Sequence, residues 1–177
     1  MRVLPDLENT VFIQHAICVP VNIDQVFEFF ISNHLSTYYR EISKDHEYLT
    51  LREGNRLEVG SILDCLESVS NQTAVHEYVV SEIIHNERIR YHSTPSHIKI
   101  KLPWKEIDSK SNTHCFFDFD KVASNKTKIR LTIGVQFYSK FEKLFSTLSG
   151  GLSPWKKHCM EEQEGLKKLI AKKLITY

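Results

Sequence analysis

From Glu47 to Tyr138 the chain is a succession of strand signals, and a single long amphipathic helix follows them, after Gly150-Gly151. A helix with one apolar stripe must bury that stripe, and the only large partner available here is a sheet. A sheet that grips one helix has to curve, and a curved sheet leaves space beneath the helix. The pattern therefore predicts an α+β fold with an internal apolar space.

The strand signals resolve into segments. Thr10 to Val19 reads as a first strand that Pro20 stops. Asn22 is placed to cap a short helix whose apolar positions are Val26, Phe27, Phe29 and Phe30. Asn33 to Glu41 predicts a second short helix, and together the two suit a wedge plugging one side of the sheet. Further strands are expected at Glu47 to Arg52, Ser61 to Val69, Thr73 to Ile84, Arg88 to His92, Ser96 to Leu102, Asn112 to Val122 and Lys126 to Tyr138. In the last of these, Ile129, Leu131, Ile133, Val135 and Phe137 alternate with polar residues, as in an antiparallel sheet with one wet face. Ser139 to Ser149 reads as an irregular or helical lead-in. Ser153 is expected to cap the final helix, with Pro154 at its first position and Trp155, Cys159, Leu166, Leu169, Ile170 and Leu174 as its stripe.

Composition narrows the class. The chain has 177 residues, enough for one domain spanning 1–177 with a proper core, and no internal repeat is visible. A net charge of +1 argues against a general nucleic-acid binder, and no stretch is long and apolar enough to insert into a membrane. Residues Met1 to Thr10 lack the apolar core of a signal peptide. The scattered cysteines Cys18, Cys65, Cys115 and Cys159 then read as reduced thiols in a cytoplasm.

Four local matches carry a resemblance: Pro20-Val-Asn-Ile-Asp-Gln-Val-Phe27, Val59-Gly60-Ser61, Tyr78-Val-Val-Ser-Glu82 and Asn125-Lys-Thr-Lys-Ile129. In this order and spacing the chain resembles the START-like superfamily, also called SRPBCC, from about Phe12 to Ile170. That superfamily includes polyketide cyclase-like, coenzyme-Q-binding and birch-pollen-allergen-like proteins. The resemblance implies the helix-grip fold: about seven antiparallel strands wrapped around a long C-terminal helix, with two short helices after the first strand. It implies no shared catalytic set. One departure is a longer segment between Tyr91-His-Ser-Thr-Pro95 and Phe117, with Pro103-Trp104 and a loop at Lys110-Ser-Asn, read as an elongated hairpin or a cavity-mouth loop.

Strand alternation points to the cavity wall. The inward residues are expected to be His76, Tyr78 and Val80 on the long middle strand, with Tyr91 beside them. Cys115, Phe117, Phe119, Ile129, Leu131, Ile133 and Val135 come from the last two strands, and Trp155, Cys159 and Leu166 from the helix. His76 with Tyr78 is the sole acid–base candidate. His114-Cys115 and His158-Cys159 pair metal-binding residue types, but neighbours on a strand or helix diverge, so no metal set is expected. There is no GxSxG elbow, phosphate-cradling glycine loop or HExxH, and nothing calls for a cofactor. Arg88, Arg90, Lys99, Lys101, Lys126, Lys128 and Arg130 are placed to form a basic stripe on the outer face, more simply a solvated face balanced by acids.

The first expectation for function is a binder or carrier of a small hydrophobic or amphipathic molecule, such as a lipid, quinone or polyketide-like ring. A cyclase- or dehydratase-like enzyme using His76 and Tyr78 is the second. An interaction module of ribosome-associated-toxin or co-chaperone type is the third. A weak homodimer stays open.

Overall fold

The computed structural model describes residues 8–175; residues 1–7, on which the reading of the N-terminus mostly rests, and 176–177 lie outside the described residues. Seven strands form one antiparallel sheet: β1 Thr10–Val19, β2 His46–Leu51, β3 Ile62–Val69, β4 Gln72–Ile84, β5 Arg88–Leu102, β6 Lys105–Ala123 and β7 Lys126–Gln136. Strands β2 to β7 run as a meander and β1 pairs with β7, giving the order β1-β7-β6-β5-β4-β3-β2. Bulges between His46 and Tyr48, Val75 and Val79, and Ser93 and Ser96 bend the strands. The helices are α1 Ile23–Ile31, α2 His34–Ile42, α3 Lys140–Leu148 and α4 Ser153–Leu174. This is the helix-grip arrangement that the resemblance implies.

Local chemistry explains most boundaries. The Asn22 side chain accepts a bond from the Gln25 amide at 2.9 Å, capping α1 as expected. Helix α3 carries a capping box, in which Ser139 and Glu142 each accept from the other's backbone amide. Ser153 does not cap α4: it is the first helical residue, Leu152 precedes it, and Pro154 sits in the first turn where its missing N–H costs nothing. The start of α4 is held instead by a side-chain clamp. Trp155 Nε1 donates to Gln72 Oε1 at 2.7 Å, and Gln72 Nε2 donates to the Gly151 carbonyl at 3.0 Å.

The region that departs from the resemblance is the elongated hairpin. Arg88 to His92 and Ser96 to Leu102 are one strand, β5, interrupted by a bulge, and the turn at Pro103-Trp104 leads into β6. Lys110-Ser-Asn is not a loop; it lies within β6, where Lys110 pairs with His97 and Ser111 with Ser96. Serine and lysine weaken the strand signal locally, and cross-strand pairing overrides it.

On the outer face, Arg88 Nε lies 2.6 Å from Asp118, Arg130 3.4 Å from Asp120, and Arg90 3.1 Å from Glu82. Lys99 lies 3.9 Å from Glu106. The anticipated basic stripe is a mixed lattice of charges. All four cysteines are free.

Candidate functional site

Helix α1 fills one end of the space beneath α4. Phe27 and Phe30 meet Phe119 edge to face at centroid separations of 5.4 and 4.9 Å, and Phe30 meets Phe117 at 4.8 Å. Beyond this aromatic plug, between α4 and the concave face, lies a cavity of about 190 Å³. That exceeds the ~150 Å³ apolar cavity that admits benzene in other proteins. Phe117, Leu131, Ile133 and Leu166 supply apolar wall, while Phe145 of α3 and Ile98 of the long hairpin line it too.

Ten of the residues placed on the wall by alternation line the cavity: His76, Tyr78, Tyr91, Cys115, Phe117, Leu131, Ile133, Val135, Trp155 and Leu166. Val80, Phe119, Ile129 and Cys159 do not. They are buried in the surrounding core, Phe119 because α1 inserts its phenylalanines at that level. Alternation identifies the face a side chain takes, but not the height at which a helix plugs the space.

The unexpected feature is a polar end to the wall. Glu67 of β3, Glu162 of α4, Tyr39 of α2 and Cys65 line the cavity together with His76. The Tyr39 hydroxyl donates to Glu67 Oε1 and also contacts Cys65 Sγ at 3.4 Å. Burial pushes the Glu67 carboxyl up, but His46, His76, His158 and Tyr39 outweigh it, so Glu67 lies below the usual carboxylate range. Glu162 is driven up, by burial first and by the Glu67 charge second. Burial likewise raises the Tyr39, Tyr78 and Tyr91 phenols and the Cys65 and Cys115 thiols, and lifts Cys159 to about 12, so these groups stay protonated.

Two signals for this polar end stand in the sequence. Glu67 shares the inward parity of Leu63 and Cys65 on β3. His158, Glu162 and Gln163 occupy the same helical face as Cys159, Leu166, Leu169 and Ile170, and His158 and Gln163 are fully buried. His46 could not be read by alternation, because the bulge after it resets the parity of β2. The metal-ligand pairs weighed from sequence do not act together, yet three remote residues converge. Donor atoms of His46, Glu67 and His158 lie within 4.8 Å of one another.

His76 is buried and stacks on Tyr78 at 4.8 Å. Its Nδ1 lies 2.7 Å from Ser96 Oγ, and Ser96 donates to Thr113 Oγ1 at 2.8 Å. With the single Ser96 hydrogen engaged on Thr113, His76 donates from Nδ1 and keeps the lone pair on Nε2. Desolvation lowers its pKa to about 4, against a smaller opposing pull from Glu67. Between pH 6.5 and 4 the unfolded chain therefore holds more protons at this site than the folded chain, and stability rises with pH. Acidification through that window is expected to cost about 3 kcal/mol at His76. Urea midpoints of wild type and His76→Gln across the window measure it; parallel pH curves would remove His76 as the source.

No family model matches the chain, and no curated protein matches it in sequence. Solved structures do match its fold. The ZhuI aromatase/cyclase from Streptomyces sp. R1128 superimposes with a TM-score of 0.60 at 10% identity, over 94% of this chain and 98% of that one. Norcoclaurine synthase from Thalictrum flavum, in complex with dopamine and hydroxybenzaldehyde, gives 0.57 at 14% identity over 93% and 88%. Major latex-like protein 151 from Panax ginseng gives 0.55 at 12% identity over 84% and 97%. The chain thus shares its fold, a curved antiparallel sheet wrapped around a long C-terminal helix, with these proteins.

Proposed function

We propose that this protein binds a small, flat amphipathic molecule of one or two rings in the cavity between α4 and the sheet. The observation that carries the reading is the cavity itself: about 190 Å³, apolar along Phe117, Leu131, Ile133 and Leu166, with its polar groups gathered at Glu67, His76 and Glu162. Such a site holds a ring by burying its faces and orients it by one or two polar bonds. The volume favours a ring compound over a long acyl chain or an isoprenoid quinone. A fold neighbour solved with dopamine and hydroxybenzaldehyde lends support for ligands of this size.

Ala74 lies on the cavity wall and is fully buried. Ala74→Phe should fill the space and weaken binding of a small aromatic probe such as 2-naphthol by more than tenfold, measured by calorimetric titration. Native mass spectrometry of gently purified protein should reveal a bound small molecule. A wild-type protein that takes up neither 2-naphthol nor any extractable compound would defeat the reading, as would unchanged affinity in folded Ala74→Phe.

A further inference from the structure

We infer that His46, Glu67 and His158, with Glu162 one helical turn beyond, form a binding site for a divalent transition metal, zinc being the ion that suits them best. The first three bring one donor each from β2, β3 and α4, and their donor atoms lie within 4.8 Å of one another. His158 Nε2 and Glu67 Oε2 are 3.7 Å apart. Ligand atoms around a tetrahedral zinc stand about 3.3 Å apart, so the His158–Glu67 pair is already near that spacing and the widest pair would close by at most about 1.5 Å on binding.

The unpartnered atoms argue for a cation. His46 and His158 are 3% and 1% exposed. Among the described residues His46 Nε2 and His158 Nε2, the two nitrogens that face Glu67, are buried without a hydrogen-bond partner. A protein keeps such groups dry and unbonded at a cost, and a metal would remove that cost.

The outer contacts point the same way. The Tyr39 carbonyl lies 2.9 Å from His46 Nδ1, which fixes the N–H there and leaves the Nε2 lone pair free. Tyr39 donates its hydroxyl to Glu67 Oε1, leaving Oε2 toward His158. Asp45 Oδ2 lies 3.4 Å from His158 Nδ1, a carboxylate–imidazole pair that leaves Nε2 for an ion. His46 and Glu67 thus have oriented outer partners, and His158 has a carboxylate close to its outer nitrogen, the kind of support that metal-binding histidines and carboxylates require. Two imidazoles with one or two carboxylates suit zinc, and also iron(II), better than calcium or magnesium. Because Glu67, Glu162 and Tyr39 also line the cavity, a metal here would adjoin the bound molecule and could take a ligand oxygen in an open position. Metal binding needs no cavity ligand, so it stands or falls apart from the proposed function.

The full chain, stripped with chelator, should bind one equivalent of Zn²⁺ in a calorimetric titration. It should also bind Co²⁺ with the intense visible bands of a tetrahedral N/O site and gain thermal stability with either ion. Glu67→Gln and His158→Gln should each lower affinity more than about 100-fold, and Tyr39→Phe by about 10- to 100-fold, while His97→Gln, on the exposed long hairpin, leaves it unchanged. Circular dichroism of the metal-free variants confirms folding, and the near-isosteric Tyr39→Phe serves if the others fail to fold. No saturable uptake of Zn²⁺, Co²⁺ or Fe²⁺ by wild type, or wild-type affinity in the folded variants, overturns the inference.

Discussion

Gly165→Ala should cost at least about 3 kcal/mol of stability and disturb the cavity at the same time. A Cβ at Gly165 would lie 1.8 Å from the Ile42 carbonyl oxygen and 2.8 Å from its carbon, so α2 and α4 meet backbone to backbone. Both atoms belong to main chain, and no side-chain rotation relieves the overlap. Alanine is otherwise the better helix former by about 1 kcal/mol, so the intrinsic preference opposes the predicted direction and makes the test sharp. The helices must separate, and α4 carries Trp155, Glu162 and Leu166 of the cavity wall with it. Urea unfolding should report a lower midpoint, and 2-naphthol titration a weaker affinity. A variant as stable as wild type would mean that α2 and α4 do not approach as described.

Phe30→Ala is expected to destabilise by about 3–5 kcal/mol. Phe30 is 1% exposed and sits between Phe117 and Phe119, at 4.8 and 4.9 Å, where α1 plugs the concave face. Its removal opens a void next to Phe117, which lines the cavity, so the two spaces should join. Stability falls while the accepted ligand grows. Chemical denaturation measures the first effect; a gain in affinity for a three-ring probe over a two-ring probe measures the second. If the variant loses stability but keeps the wild-type ligand size, the aromatic plug is not what ends the cavity.

The strand faces were legible residue by residue. Ile129, Leu131 and Val135 are buried as their alternation predicts, and His76, Tyr78 and Val80 share the inward face of β4. Asn22 announces the start of α1 because its side chain bonds an amide three residues away. Bulges were not legible. Those at His46/Tyr48 and Ser93/Ser96 reset parity or carry a strand through a polar stretch, and their signal lies in the partner strand. Gly165 was equally silent, since its reason is the Ile42 carbonyl on a helix far away in sequence.

By itself the sequence determined most of the elements, the side of the sheet a residue takes where no bulge intervenes and the need to wrap a sheet around α4, because these follow from periodicities of two and 3.6 within short windows. Only the tertiary structure decided where α1 ends the cavity and that His46, Glu67 and His158 share one buried point. Those facts depend on distances between segments more than 20 and 90 residues apart, which no local pattern encodes.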